Sequence, residues 1–514
     1  MSVDWKETRF DILGGWNDND NPCDIGVPAS SKAIRMVQAQ NVYQPGDRTD
    51  LMTAPGFAKR DSTTINAAGI FTGGIHLGEL ADEEVVTVSI SGTSHNLYRN
   101  NANPAGAISG GTNFTIGQDN LVDSLLFKDG AGTSGAIFLS RLRDLPQFVN
   151  SSMTRSNFTI AGTGLTSLKP AIGEVMSQRC LYADVNRDST VEDDFLYWTD
   201  LRDGNLITDY LTQRESVETG DKDKVRALRR LSEVCMVGKM NHIFLMAATE
   251  FSRKPFSLRE LPLGFGRGPV SQQGTIATDS AIYWMGKHNI HRLRMDGQIE
   301  DLADHIRPTI TSLAQAKIEF CVGGHLPSQN LVLWNVAPSG ATNRTRTIAY
   351  NYKTNEFFFW TRTRNAYWNY YDSDVLKLSG GGLVGFFYEE LSGTTGNADD
   401  ATAAIDADII TPRHRFPGVS LIAGIKIRFD QQGTSEAVTV QYRLDDASSW
   451  SDFAESPYTV AGTAGDLDEK FFPLMQAGKA LQLRFRDANS GQQFRVQEYG
   501  FVWKPMTAGL TAIN

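Results

Sequence analysis

The sequence predicts an all-β protein: a β-propeller of six to eight blades followed by a small C-terminal antiparallel β-sandwich. Three observations lead there. Residues 275–302 (TIATDSAIYWMGKHNIHRLRMDGQIEDL) read as three short strands joined by two tight turns, the second at Asp296-Gly297. An Asp-Gly pair between alternating apolar residues is a strong hairpin signal, because glycine accepts the positive φ such turns need. Weaker relatives of this unit recur between about residues 65 and 390 at intervals of roughly 40 to 50, the period of four-stranded blades. From about residue 419 the pattern then changes to clean alternation, as IKIRF, VTVQYRL and LQLRF show.

Taken in order, residues 85–90 (VVTVSI) are followed by 96–99, and 121–128 (LVDSLLFK) end at Asp129-Gly130 before 136–139. Residues 179–185 (RCLYADV) pair with 195–199 (FLYWT), and 234–238 pair with 242–247 across Met240-Asn241. After the 275–302 unit, 330–336, 347–352 and 356–360 form a meander, and 375–378 lead through Gly380, Gly381 and Gly382 to 383–388. Helical signals are few. Residues 221–233 (DKDKVRALRRLSE) place Val225, Leu228 and Leu231 at helical spacing, and 306–316 make a second short helix between blades. The C-terminal strands are expected at 425–429, 438–444, 471–473, 481–486 and 493–503. The resulting division is an N-terminal docking segment over 1–64, a propeller over 65–410, and a sandwich with its closing strand over 411–514.

Composition narrows the function. With 41% hydrophobic and 21% charged residues over 514, the chain is an ordinary globular protein with room for a large core. Forty-seven glycines suit a protein rich in turns. A net charge of −10 argues against a surface broadly built to bind nucleic acid, since phosphate contacts need Lys and Arg. It leaves room for an acidic channel wall to which DNA would not adhere. Cys23, Cys180, Cys235 and Cys321 are far apart, which reads as buried free thiols. The start of the chain lacks a basic and apolar leader, and no run approaches about 18 apolar residues, so the expectation is assembly in a cytoplasm without membrane insertion.

No catalytic, cofactor-binding or metal-ligating residue is assigned. Asp184, Asn186 and Asp188 resemble the start of a calcium loop, but Ser189 stands where glycine is wanted and Phe195 where a carboxylate is needed. They read instead as an acidic hairpin loop. Gly264, Gly266 and Gly268 lack the strand–helix context of a dinucleotide turn and read as an inter-blade loop. Asp445–Trp450 (DDASSW) resembles a single Asp-box hairpin, a structural element without chemistry. The eight histidines are scattered, and nothing in the sequence pairs two carboxylates as a glycosidase would. The expectation is therefore no cofactor and no enzymatic role.

Several segments resemble the tail-hub or nozzle proteins of tailed bacteriophages, the group that includes packaged-DNA-stabilisation proteins. FDILGGWNDNDNP, with Gly14-Gly15-Trp16-Asn17, resembles the family's opening. VQAQNVYQPG around Asn41 and TAPGFAKR around Pro55-Gly56 resemble its "N-v … RPG" segment, with Thr53-Ala54 at the usual arginine position. KPAIGEVMSQRCLYADV with FLYWTDLRDGN is similar to one family blade, Thr199 replacing serine; residues 268–306 are similar to another, Asn289 replacing glycine. The resemblance runs from about residue 10 to 505. It implies a structural virion protein whose copies, six by the resemblance, form a ring that extends the portal–adaptor channel, retains packaged DNA and guides its ejection. Implied partners are further copies of the chain, the adaptor and portal, other tail proteins or fibres, and DNA transiently in the lumen. Aromatic segments 357–360 and 367–371 are either subunit contacts or blade core. Two alternatives stay open: a host-receptor or glycan-binding propeller of the virion, and a cytoplasmic propeller scaffold.

Overall fold

In the computed structural model the turns foreseen from glycine are made as expected. Gly297 adopts φ +83° and its amide bonds the Arg294 carbonyl, while the Asp296 carboxylate accepts from the Gln298 amide at 3.0 Å. The strands so joined, Thr275–Ala277, Ala281–Met285, Ile290–Arg294 and Ile299–Asp301, form a four-stranded antiparallel meander. Ala281–Met285 is buried along its whole length, as a strand packed on both faces must be. The structure describes residues 5–16, 25–26, 34–36, 38–44, 51–54, 58–59, 69–78, 84–100, 107–251, 254–372, 375–383, 387–391, 398–399, 403–404, 406–430, 436–460, 466–487 and 494–506.

Seven antiparallel sheets of this kind, the first with three strands among the described residues and the third widened to six, make a seven-bladed propeller. Their innermost strands are Gly69–His76, Val122–Lys128, Leu165–Met176, Val225–Leu231, Thr275–Ala277, Val322–Leu326 and Ala366–Asp372. Each packs on the next, and the seventh packs back on the first, so the ring closes. Apolar clusters fill the spaces between blades: Ile172, Trp198, Leu228 and Phe244 lie between the third and fourth, and Tyr283, Ile310, Trp334 and Tyr350 between the fifth and sixth. The seventh blade, Ala366–Asp372, Val375–Gly381 and Phe387–Glu389, takes its fourth strand from Ala58–Lys59, far upstream. The ring is thus fastened by pairing two distant parts of the chain.

Beyond the propeller, His414–Asp430, Glu436–Leu444, Leu467–Asp487 and Arg495–Pro505 form long antiparallel pairs. Lys6–Trp16 joins them, running antiparallel to Arg495–Pro505 from Lys6↔Trp503 to Asp11↔Glu498. One apolar cluster runs from Phe10, Ile425, Phe485 and Tyr499 into Leu333, Phe358 and Trp360 of the sixth blade. Asn41 sits at this junction in a left-handed conformation (φ 54°). Its side-chain oxygen accepts from the Thr361 amide at 2.8 Å, and its Nδ2 donates to the Thr361 hydroxyl at 3.0 Å and the Asp406 carbonyl at 2.8 Å.

Two local expectations are corrected. Residues 221–233 hold the strand Val225–Leu231 rather than a helix. A register shift between Val225 and Ala227 puts Val225, Leu228 and Leu231 all on buried positions, and a bulged strand thereby imitates a helical spacing. The strands expected separately at 471–473 and 481–486 are parts of one long strand, Leu467–Asp487. The 306–316 signal does correspond to short helices, Arg307–Thr311 flanked by 3-10 turns Asp304–Ile306 and Gln315–Phe320.

Candidate functional site

The innermost strands enclose a channel, and polar side chains fill its middle. Gln272, in the link before the fifth blade, reaches three other blades. Its Nε2 donates to Asp123 Oδ2 at 2.9 Å, the Gly173 carbonyl at 3.2 Å and the Leu228 carbonyl at 3.1 Å. Its Oε1 accepts from the Leu228 amide at 2.8 Å. A side chain that meets the second, third and fourth blades at once lies close to the axis. Beside it Arg229 donates from Nε to the Thr275 carbonyl at 2.7 Å and from Nη2 to the Gln272 carbonyl at 3.2 Å. The Asp123 and Glu174 carboxylates each stand 3.9 Å from the Arg229 guanidinium. Burial pushes both carboxyls above their ordinary values, against the opposing pull of Arg229.

Towards the starts of the innermost strands, ion pairs cross the channel. Glu319, just before the sixth blade, accepts from Arg141 of the second blade at 2.9 Å and from Arg226 of the fourth at 3.4 Å. Lys317 bonds Asp119 at 2.5 Å. Arg344 reaches Asp119 at 3.4 Å, the Phe320 carbonyl at 3.0 Å, and Asn365. Phe320 lies under the Arg141 guanidinium at 4.0 Å. The segment Gln315–Phe320 thus seals that end.

The other end is hollow. A cavity of about 350 Å³ runs from the level of Asp123 and Arg229 towards the ends of the innermost strands, lined by Ser124, Gln273, Asn369, His76 and the backbone of Gly73, Gly74 and Gly323. Tyr371, 55% exposed, stands beyond Asn369 on the same strand, its ring 6.4 Å from that of His76.

The residues singled out in the sequence lie elsewhere and serve the fold. Asp184 pairs with Arg143 and, at 2.8 Å, with Lys224; Asp188 accepts from the Thr166 and Ser167 amides at 3.1 and 2.8 Å. Among the described residues no group of three or more His, Cys, Asp or Glu is arranged to hold a metal. Gly268 packs directly on the Lys239 carbonyl in an inter-blade loop. Asp445 caps the neighbouring hairpin, accepting from the Lys479 and Ala480 amides at 2.6 and 2.9 Å. Glu356–Trp360 is a buried strand, and of residues 367–371 only Tyr371 is exposed, so both aromatic segments are chiefly blade core. Cys180, Cys235 and Cys321 are buried free thiols, and Cys23 lies outside the described residues. No described helix is long and apolar enough to cross a membrane. Gln272, Arg229 and Glu319 escaped sequence reading; the only hint was a polar GPVSQQGT stretch where a blade begins.

No family model and no curated protein matches this sequence. Among solved structures, the chain is similar to the extracellular domain of a one-component system from B. thetaiotaomicron, at 9% identity and TM-score 0.43, over 86% of this chain and 62% of that one. It is similar to PorZ, a surface component of the type-IX secretion system of Porphyromonas gingivalis, at 10% identity and TM-score 0.34, over 71% and 44%. It is also similar to a glycoside hydrolase, at 10% identity and TM-score 0.24, over 85% and 97%. None of these three is a phage tail protein. The hydrolase corrects the expectation of no enzymatic role: with such a structure among its neighbours, catalysis is no longer set aside. At these scores the resemblances assign no activity, and the seven-blade description stands on the strand order alone.

Proposed function

We propose that this chain is a virion component of a tailed phage, working as a binding propeller that takes a host receptor or glycan at the open end of its channel. The supporting observation is the one-ended polar cavity: its far side is filled by Gln272 and Arg229, and the exposed ring of Tyr371 stands 6.4 Å from that of His76 in its wall. The virion setting comes from the sequence resemblance around Gly14-Gly15, Asn41 and the third and fifth blades. A glycan array probed with the full chain tests the binding role. Saturable binding to a defined glycan supports it, and a blank array on well-folded protein counts against it.

A second reading, the tail-hub or nozzle subunit, is favoured by the junction at Asn41. There the residue that carries the resemblance ties the sixth blade to the C-terminal strands. In that role the propeller is a rigid wedge, and wedges with head-to-tail contacts close into rings. DNA would have to run between copies, because the propeller's own axis is filled by side chains. Native mass measurement with negative-stain imaging tests this reading. A closed ring wide enough for a duplex supports it, and a monomer that stays monomeric with adaptor and portal present counts against it.

A further inference from the structure

We propose that the cavity is a sugar pocket that takes the terminal, uncharged monosaccharide of a glycan. The ring lies against Tyr371 and the hydroxyls bond the channel wall; this rests on the binding-propeller reading above. Size is the first argument. About 350 Å³ falls at the small end of ligand pockets, which run from roughly 300 to 1,000 Å³.

The chemistry of the wall is the second. Ser124 both donates and accepts, Gln273 presents an amide group of both kinds, Asn369 offers its side-chain oxygen while its Nδ2 donates to the His325 and Lys377 carbonyls at 2.7 and 3.1 Å, and the glycine-lined strand edges add peptide groups. A surface that mixes donors and acceptors suits hydroxyls, which also do both. Arg229 contributes further donors. Its bonds to the Thr275 and Gln272 carbonyls use two of five N–H groups, and the flanking carboxylates at 3.9 Å lie beyond hydrogen-bond reach.

Charge selects within that class. One guanidinium between the Asp123 and Glu174 carboxylates cannot hold a phosphate or a sugar acid well, because any anion added there meets two negative groups for one positive. A nucleotide is therefore disfavoured and a neutral polyol is not. Beside His76 of the wall, the exposed Tyr371 ring offers a flat apolar face with a polar tip, which suits the C–H face of a pyranose.

The test titrates the full chain with D-glucose, D-galactose, D-mannose and N-acetyl-D-glucosamine by saturation-transfer NMR and calorimetry. At least one is expected to bind saturably. Tyr371→Ala should weaken binding about tenfold, the scale of one lost ring contact, while Tyr371→Phe keeps it. Asn369→Ala should weaken it too, and inorganic phosphate and N-acetylneuraminic acid should not compete. Because Tyr371 is exposed, an unchanged melting temperature in Tyr371→Ala shows that the fold is intact. Saturable sugar binding that survives both alanine variants overturns the pocket but leaves the binding propeller standing. A chain that binds none of these sugars, yet binds on the glycan array, overturns the monosaccharide assignment alone. No binding in either format overturns both.

Discussion

The two ends of the channel are built from the same seven strands, yet one is sealed and the other open. At the sealed end, side chains from the second and fourth blades converge on the single carboxylate of Glu319, which leads into the sixth, and Gln272 stitches three blades beneath it. At the open end no such convergence is seen among the described residues, and the wall is left to glycine backbone and short polar side chains. The difference lies in the links that lead into the blades. The fourth-to-fifth link carries Gln272, and the fifth-to-sixth link carries a helical insertion whose last turn, Gln315–Phe320, brings Lys317 and Glu319 across. A propeller of repeated meanders is symmetrical in outline, and a single inserted turn is enough to give its axis a floor.

Breaking the floor should have the largest effect. Gln272→Leu keeps the volume but removes the partner of the Gly173 carbonyl and of both peptide groups of Leu228 and leaves the Asp123 carboxylate with the Gly173 amide at 3.2 Å, with an expected loss of about 3 kcal/mol or more in chemical denaturation. A loss under about 1 kcal/mol would mean that the axial layer does not hold the blades together.

Acid should act next, and from outside the channel. His414 is wholly buried among Phe10, Tyr499 and Phe501, and burial holds its imidazole down at about 3 from an ordinary 6.5. The folded state refuses a proton that the unfolded chain accepts. Stability is therefore complete above pH 6.5 and falls by about 1.4 kcal/mol per pH unit on the way down to the folded value. Asp123 and Glu174 work with the opposite sign, since their raised carboxyls cost stability at neutral pH and acid relieves that cost. A pH series of denaturation midpoints on the parent and on His414→Phe separates the two, and a variant whose midpoints fall as steeply as the parent's would clear His414 of the effect.

Glu319→Gln should cost less, about 1 kcal/mol, because the carboxylate is partly in water, and added salt should shrink the difference. The gentlest change belongs to the open end. Tyr371→Ala should leave stability within about 0.5 kcal/mol, as befits a side chain more than half in solvent. If instead it destabilised as much as Glu319→Gln, the open end would be a structural closure and the contrast between the ends would fail.

The blades were readable because their signals are local. Asp296-Gly297 and Gly286–Asn289 declare hairpins within a few residues, and buried runs such as AIYWM declare strands. The bulge at Val225–Ala227 defeated the reading because one extra residue breaks the two-residue period on which it depends. The channel was opaque for a different reason. Gln272, Arg141, Arg226 and Glu319 are polar and lie up to 178 positions apart in the chain, so each taken alone looks like surface. Only the closed ring brings them to one axis. The pairing of Ala58–Lys59 with Phe387–Glu389 was hidden in the same way, since a two-residue strand leaves no pattern.

That pairing, with the one between Lys6–Trp16 and Arg495–Pro505, sets a timetable for synthesis. A ribosome releases residues 6–16 and 58–59 long before their partners exist. The meanders can form one after another as they emerge, since their contacts are short-range. The early strands must wait, edges unpaired, until residue 389 allows the ring to fasten and residue 505 allows the outer strands to join. A nascent chain halted near residue 380 would therefore hold most of its blades with both clasps open, and would be the form most in need of a chaperone.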